Sequence, residues 1–423
     1  MLQTTHYKLP TSTYDVAVIG GGPAGMMAAI RAGELGASVV LIEKNEKLGK
    51  KLLLTGGGRC NLTNAIFDNR ALAERYGEKG KFLLSPLSQW EPESTIRFFE
   101  ERNMPTKIEE EARVFPKSDL AKSVLDVLVL ELKKQKVQVI TNASVIKILH
   151  TGSKITGVQT SESIIKAKNF IIATGGTARP ETGSTGEGFK WLAELGHTIV
   201  SPDPALVPVK IKEPWAKKLQ GLSLPMVKLT ILKNSLKLKA QKGKMLFTHF
   251  GISGPLALNM SKSIGEAVNA GSATLSLDLF PVEDLVSLDL RLQEHLKTFQ
   301  NKKWQNALKG FLPTLLVPIA VELSKIDPEL FVNKIPRAKR LAFVKLLKNI
   351  PMTPTGLLGA EKAIVSSGGV SLEEVDFKTM CSLKADNLYL AGDILNFDRP
   401  SGGFSLQICW TTGFVAGTNS AQK

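Results

Sequence analysis

Residues 15–43 read DVAVIGGGPAGMMAAIRAGELGASVVLIE, and the order of textures in this stretch decides the fold. Val16, Ala17, Val18 and Ile19 form a short apolar run that ends in glycine, which predicts a strand buried on both faces of a parallel sheet. Gly20, Gly22 and Gly25 then give G-x-G-x-x-G, and residues 26–35 continue in an Ala/Met/Leu pattern that predicts a helix ended by Gly36. Val39 to Ile42 make a second buried strand, closed by Glu43. Gly20 permits the tight turn, Gly22 lets the backbone approach a pyrophosphate, and Gly25 lets helix and strand pack closely. The helix start offers unpaired N–H groups and a positive dipole end to phosphate. Glu43 follows Gly25 by eighteen residues, where a carboxylate can accept hydrogen bonds from a ribose. Strand, helix, strand and acid in this order describe a dinucleotide site rather than a glycine-rich turn.

Three further segments extend the site. Residues 44–64 carry Gly56, Gly57 and Gly58, free to follow a ligand, with the cation Arg59 beside them. Residues 169–176, NFIIATGG, run as an apolar strand into Thr174, Gly175 and Gly176, and Ser184 or Thr185 is the expected cap of the helix that follows. Residues 387–393, NLYLAGD, place Asp393 at a strand's carboxyl end, where doubly wound sheets hold ligands. Gly402 and Gly403 then open a helix over 406–421 whose start can face an electron-rich ring edge.

At 423 residues the chain exceeds one ordinary core. The texture changes at the prolines of residues 201–208 and reverts from 351. The expected domains are 1–200 and 351–423 for the dinucleotide domain, with an inserted β-rich domain at 201–280 and a helical subdomain at 281–350. Within the insert, residues 207–211 and 226–239 read as half-exposed antiparallel strands and 248–255 as a Gly/Pro-punctuated loop. Residues 205–350 hold 23 Lys and Arg against 10 Asp and Glu, so +13 of the formal net charge of +15 lies there. Such a concentration fits either a solvated surface or an anionic partner met through Lys302, Lys303, Arg337, Lys339 and Arg340.

The three cysteines form no C-x-x-C and the five histidines show no ligand spacing, so neither a disulfide framework nor a metal site is expected. The longest uncharged run, 400–422, is broken by glycine and polar residues and predicts no membrane span. The first fifteen residues lack the layout of a secretory signal, and the expected location is the cytoplasm.

These segments together resemble the FAD-binding BaiN/RdsA-type flavoproteins, also met as aminoacetone-oxidase-like proteins, of the glutathione-reductase-like class. The resemblance covers nearly the whole chain. It is carried by TGGGRCNLTN at 55–64, TGSTGEGFKWLAELGH at 182–197, MLFTHFGISGPLAL at 245–258 and YLAGDILNFDRPSGGFSLQICWTTG at 389–413. It implies an α/β fold, a Rossmann-like FAD-binding domain with a β-rich insert and a helical piece. It also implies that Gly20, Gly22, Pro23, Ala24 and Gly25 hold the pyrophosphate, and that Glu43, with Lys44 beside it, takes the adenosine ribose. Val145 would lie near the adenine, and Arg59, Cys60 and Asn61 would line the flavin side next to Gly57 and Gly58. Thr174, Gly175 and Gly176 would make the second glycine contact. Asp393, after Gly392, would meet the ribityl chain, and Gly403, Phe404, Ser405 and Leu406 the ring edge. The chain departs from the family pattern at Asp393, commonly Glu, and at Phe404-Ser405, commonly Tyr-Asn. Asp398-Arg399-Pro400 also stands where a Gly-containing run is usual.

FAD is the expected cofactor, because the distant Gly-Asp strand suits an extended flavin dinucleotide. There is no second G-x-G-x-x-G behind a strand, so NAD(P)H would visit transiently. Cys60 and Cys409 are the candidate proton donors. The expected function is an NAD(P)H-dependent flavoenzyme reducing a small molecule at a C=C or C–N bond. The alternatives are a dihydrouridine synthase acting on ribosomal RNA and a non-enzymatic flavoprotein that binds RNA or a partner.

Overall fold

The computed structural model describes residues 13–201, 204–234, 236–271, 273–359, 363 and 365–422. Most of the N-terminal stretch read for a signal, and part of the proline-rich boundary at 201–208, lie outside them. The chain forms two compact units, Met1–Pro204 with Ile364–Lys423, and Ala205–Ala363.

The first unit is built on β1 (Tyr14–Ile19), α1 (Pro23–Glu34) and β2 (Val39–Ile42), followed by β3 (Gln138–Ile140), β4 (Ala167–Ile172) and β5 (Leu388–Leu390). Val16, Val18, Val40, Leu41, Ile171 and Ile172 are fully buried, which is why these strands are continuous apolar runs. Each such side chain contributes about 1.5–3 kcal/mol by leaving water. The sheet runs β3-β2-β1-β4-β5 with all five strands parallel, and Cys381–Ser382 and Val375–Asp376 extend the β5 edge antiparallel. Strand order reverses between β1 and β4, the switch point beyond which ligands bind at the carboxyl ends.

α1 begins with Pro23 in its first turn, and the final helix α2 (Phe404–Ser420) lies against it. Their backbones meet at glycines. A Cβ on Gly413 would stand 2.5 Å from the Ala24 carbonyl oxygen, and one on Gly417 2.4 Å from that of Ala28. This close seat brings the start of α2 beside the turn after β1.

The second unit has one core shared by strands and helices. Its antiparallel sheet includes a long hairpin, Ser223–Lys233 with Leu236–Thr248. Residues 226–239, read as antiparallel strand, span both arms of this hairpin, and the chain turns at Asn234, whose φ is 48°. Val227, Leu229 and Ile231 point inward, and Lys228 and Thr230 between them are part-exposed. The stretch 248–255 is also more than a loop. Gly251–Ser253 pairs as a strand, and Gly254–Asn269 follows as a helix burying Leu256, Ala257, Met260, Ile264 and Ala267. Glycine and proline at its start hid that helical spacing.

Candidate functional site

The ends of β1, β2, β4 and β5 and the first turn of α2 surround one elongated cavity in the first unit. At one end Glu43, buried behind β2, is fixed on both oxygens. Its Oε2 accepts the Gly21 N–H (2.7 Å), and Oε1 accepts the Asn45 N–H (2.8 Å) and side-chain amide (2.7 Å). Residues 182–187 are tied to the loop after β2. Asn45 donates to the Thr182 carbonyl (3.0 Å), Lys44 to Thr185 Oγ1 (2.7 Å) and Glu187 Oε2 (2.8 Å), and Lys51 to Ser184 Oγ (2.6 Å). The expected capping role of Ser184 or Thr185 is thus overturned. The helix Glu187–Glu194 has Gly186, which has no side chain, at its N-cap, and lysines donate to both hydroxyls.

At the other end Asp393 sits in the turn Gly392–Ile394 after β5. Its Oδ1 accepts Ser405 Oγ (3.3 Å), pairs with Arg399 Nε (3.2 Å), and lies 4.0 Å from Cys409 Sγ. The Arg399 side chain is wholly buried and donates to the carbonyls of Ser366 and Leu395. The unusual Asp398-Arg399-Pro400 run therefore supplies a guanidinium that holds the shorter acid in place.

Of the residues picked out by sequence, Gly20, Gly22, Pro23, Ala24, Glu43, Lys44, Val145, Thr174, Gly175, Asp393, Ser405, Leu406 and Cys409 line the cavity. Gly25, Gly57, Gly58, Arg59, Cys60, Asn61, Gly176, Gly392, Gly403 and Phe404 do not. Gly25 serves packing instead, since a Cβ there would lie 1.9 Å from the Gly20 carbonyl oxygen. Arg59 bonds to Glu109 and Asp119 and lies over the Phe115 ring, 4.1 Å from its centroid. Asn61, with its amide oriented to satisfy both atoms, accepts the Gly403 N–H (3.0 Å) and so steadies the start of α2. Phe404 packs edge-on against Tyr76, with ring centroids 5.8 Å apart. Cys60 is buried in the core, and burial pushes its thiol up to about 12. Burial also pushes the Cys409 thiol far above its usual range. Both thiols therefore keep their protons at neutral pH.

Sequence reading passed over Gly21, Asn45, Lys51, Glu187 and Trp191, all in the wall, and took Ser184, also there, for a helix cap. Lys51 is the most consequential. Burial pushes its ammonium below the ordinary lysine value, with the Asp393 charge acting the other way.

The wall fits a flavin dinucleotide. Thr174 Oγ1 is buried without a hydrogen-bond partner in the protein, so a ligand group would satisfy it. A Cβ on Gly22 would meet no protein atom within 4 Å, leaving the backbone open to close approach by a phosphate. Acids stand at both ends, where ribose and ribityl hydroxyls would lie.

A family profile described as "HI0933-like protein Rossmann domain" matches residues 14–419. The chain belongs to this family. The HI0933-like chain is 32% identical to a 3-dehydro-bile acid delta(4,6)-reductase of Clostridium scindens, over 96% of this chain and 99% of that protein. It is 28% identical to a ribosomal RNA dihydrouridine synthase of Escherichia coli, over 95% and 96%. Among solved structures, a 3-ketosteroid delta1-dehydrogenase from Sterolibacterium denitrificans shares the fold at a TM-score of 0.55 and 16% identity, covering 97% of this chain and 100% of that one. A flavocytochrome c3 fumarate reductase does so at 0.53 and 16%, covering 97% and 78%. The HI0933-like chain has a Rossmann-like FAD-binding fold and is an FAD-dependent oxidoreductase. No helix among the described residues is long and apolar enough to cross a membrane.

Proposed function

We propose that the chain takes reducing equivalents from NAD(P)H and, through FAD, reduces a carbon–carbon double bond conjugated with a carbonyl group. The observation that carries this reading is the single cavity in which Glu43, Thr174, Asp393 and the first turn of α2 converge from distant segments. The names of the two relatives aligned over nearly their full length point to one chemistry. One is a delta(4,6)-reductase of a 3-dehydro acid, and the other makes dihydrouridine, in which the double bond beside a uracil carbonyl is saturated. This favours C=C over C–N as the bond acted upon. A cytoplasmic setting, with nicotinamide at hand, fits the reading.

Bound FAD supplies hydride transfer, while the protein supplies position and electrostatics. Glu43 would accept the adenosine ribose hydroxyls and Asp393 a ribityl hydroxyl, its carboxylate held by Arg399 and Ser405. Ser405 and Leu406 bring the N-terminal end of α2 to the cavity, where its dipole favours negative charge.

Anaerobic addition of NADH or NADPH to the purified protein should bleach the flavin, and a conjugated enone should restore its colour where the saturated ketone does not. Bleaching would also remove a purely structural use of the flavin. A flavin that neither nicotinamide reduces would sink the proposal.

A second reading, ribosomal RNA as substrate, is favoured by the concentration of positive charge in 205–350. Lys302, Arg337 and Lys339 are exposed, and so are Lys237, Lys239, Lys242 and Lys244 of the hairpin. Lys303 pairs with Glu329, and Arg340 with Asp289 (2.8 Å), so these two serve local structure. Charge reversal at Lys302, Arg337 and Lys339 should then abolish salt-dependent RNA binding. Dihydrouridine unchanged in ribosomal RNA of a deletion strain would rule out this reading.

A further inference from the structure

We propose that the Lys51 ammonium is the cation that receives the pyrophosphate of the bound dinucleotide. The proposal rests on the FAD reading above and adds a residue to that site. Lys51 lies in the cavity wall, and its hydrogen-bond partner there is the neutral hydroxyl of Ser184. Ser184 belongs to the stretch 182–187 that is tied through Lys44 and Asn45 to the Glu43 end. On the other side, the charges that act on Lys51 are those of Asp393 and Arg399, at the far end, with Glu181 acting more weakly. Lys51 therefore stands between the acid for the ribose and the acid for the ribityl chain. The middle of an extended dinucleotide is its pyrophosphate.

The balance of charge points the same way. Asp393 is already paired with Arg399, the Cys409 thiol is neutral, and Lys51 makes no ion pair among the described residues. The Glu43 carboxylate is held by amide N–H groups, so Lys51 is a part-buried ammonium with no carboxylate bonded to it among the described residues. An ammonium carries three protons to donate, and Ser184 accepts one. Burying such a group without an anion is costly, and a charge-assisted bond to phosphate offsets that cost. The start of α1 alone offers about half an elementary charge, whereas a pyrophosphate bridge carries a negative charge on each phosphate.

The test uses apoprotein and two partial ligands, ADP (phosphates without flavin) and riboflavin (flavin without phosphates), titrated by calorimetry. Lys51→Met should weaken ADP binding on the order of tenfold to a hundredfold, and leave riboflavin binding within about twofold. Lys51→Arg, which keeps the charge, should restore most of the ADP affinity. Unaltered ADP binding in Lys51→Met, or a loss confined to riboflavin, overturns the proposal. Should that variant fail to fold, amine acetylation of the wild-type apoprotein decides. ADP must protect Lys51 and riboflavin must not, and an unprotected Lys51 overturns the proposal. Wild-type apoprotein that takes up neither probe nor FAD overturns instead the cofactor reading beneath it.

Discussion

Lys51 and Arg59 stand in the same loop after β2, eight residues apart, and their surroundings are opposite. Arg59 is half-exposed and held by Glu109, Asp119 and the face of Phe115, in a network that also takes in Lys107. Lys51 is likewise part-buried, but it lies in the cavity wall against a single hydroxyl. Sequence alone favours Arg59, because it follows three glycines. The fold gives the cavity to Lys51, because Ser184 and Asp393 approach it from distant parts of the chain. What distinguishes a ligand cation from a structural one is whether carboxylates of the protein already answer its charge.

Several substitutions break or sharpen this contrast. The largest effect belongs to Lys51→Met, which should release FAD on dialysis where the wild type retains it, a loss on the order of tenfold to a hundredfold in affinity. Retained flavin at wild-type occupancy would remove the contrast altogether. Thr174→Val comes next. It deletes the orphaned hydroxyl, so FAD affinity should fall about fivefold while the apoprotein becomes more stable by about 1 kcal/mol. A less stable apoprotein in denaturant titration would mean that the hydroxyl already has a partner.

The pH dependence is a smaller effect with a definite sign. Lys51 binds its proton less tightly in the ligand-free fold than the ordinary lysine value of 10.5. Between the lowered value and 10.5, the unfolded chain therefore binds more protons than the folded one. Relative to Lys51→Met, apoprotein stability should rise with pH through that window. ADP affinity should fall over the same window as the ammonium is lost, and a flat profile would contradict the account. Arg59→Met should have the smallest effect on the cavity, with FAD affinity within about twofold of wild type and a modest fall in Tm. A loss of FAD as large as that of Lys51→Met would erase the distinction.

The first unit was legible where signals are local. Buried runs such as Val39 to Ile42, the glycine turn, Glu43 and the Gly-Asp end of β5 each follow from composition over a few residues. The cavity's middle was not legible, since Lys51 meets Ser184 across 133 positions and no local pattern marks that encounter. Ser184 and Thr185 look like helix caps because hydroxyls before a helix usually are, but Gly186 takes the cap position and two lysines donate to the hydroxyls. Cys60 looks reactive beside Arg59, yet it is wholly buried. In the second unit the basic count was visible, whereas the pairing of Arg340 with Asp289 and of Lys303 with Glu329 needed the fold. The helix Gly254–Asn269 had a readable spacing in Leu256, Met260 and Ile264, masked by the glycine and proline before it.

The central claim is that the cavity between Glu43 and Asp393 holds FAD and that the Cys409 thiol in its wall is not needed to hold it. Its most direct test is to denature the purified protein, identify and quantify the released nucleotide, and compare wild type with Asp393→Asn and with Cys409→Ser. The account predicts one FAD per chain in the wild type and in Cys409→Ser, with lower occupancy in Asp393→Asn. Finding FMN or no flavin in the wild type, together with apoprotein that does not take up added FAD, would contradict it.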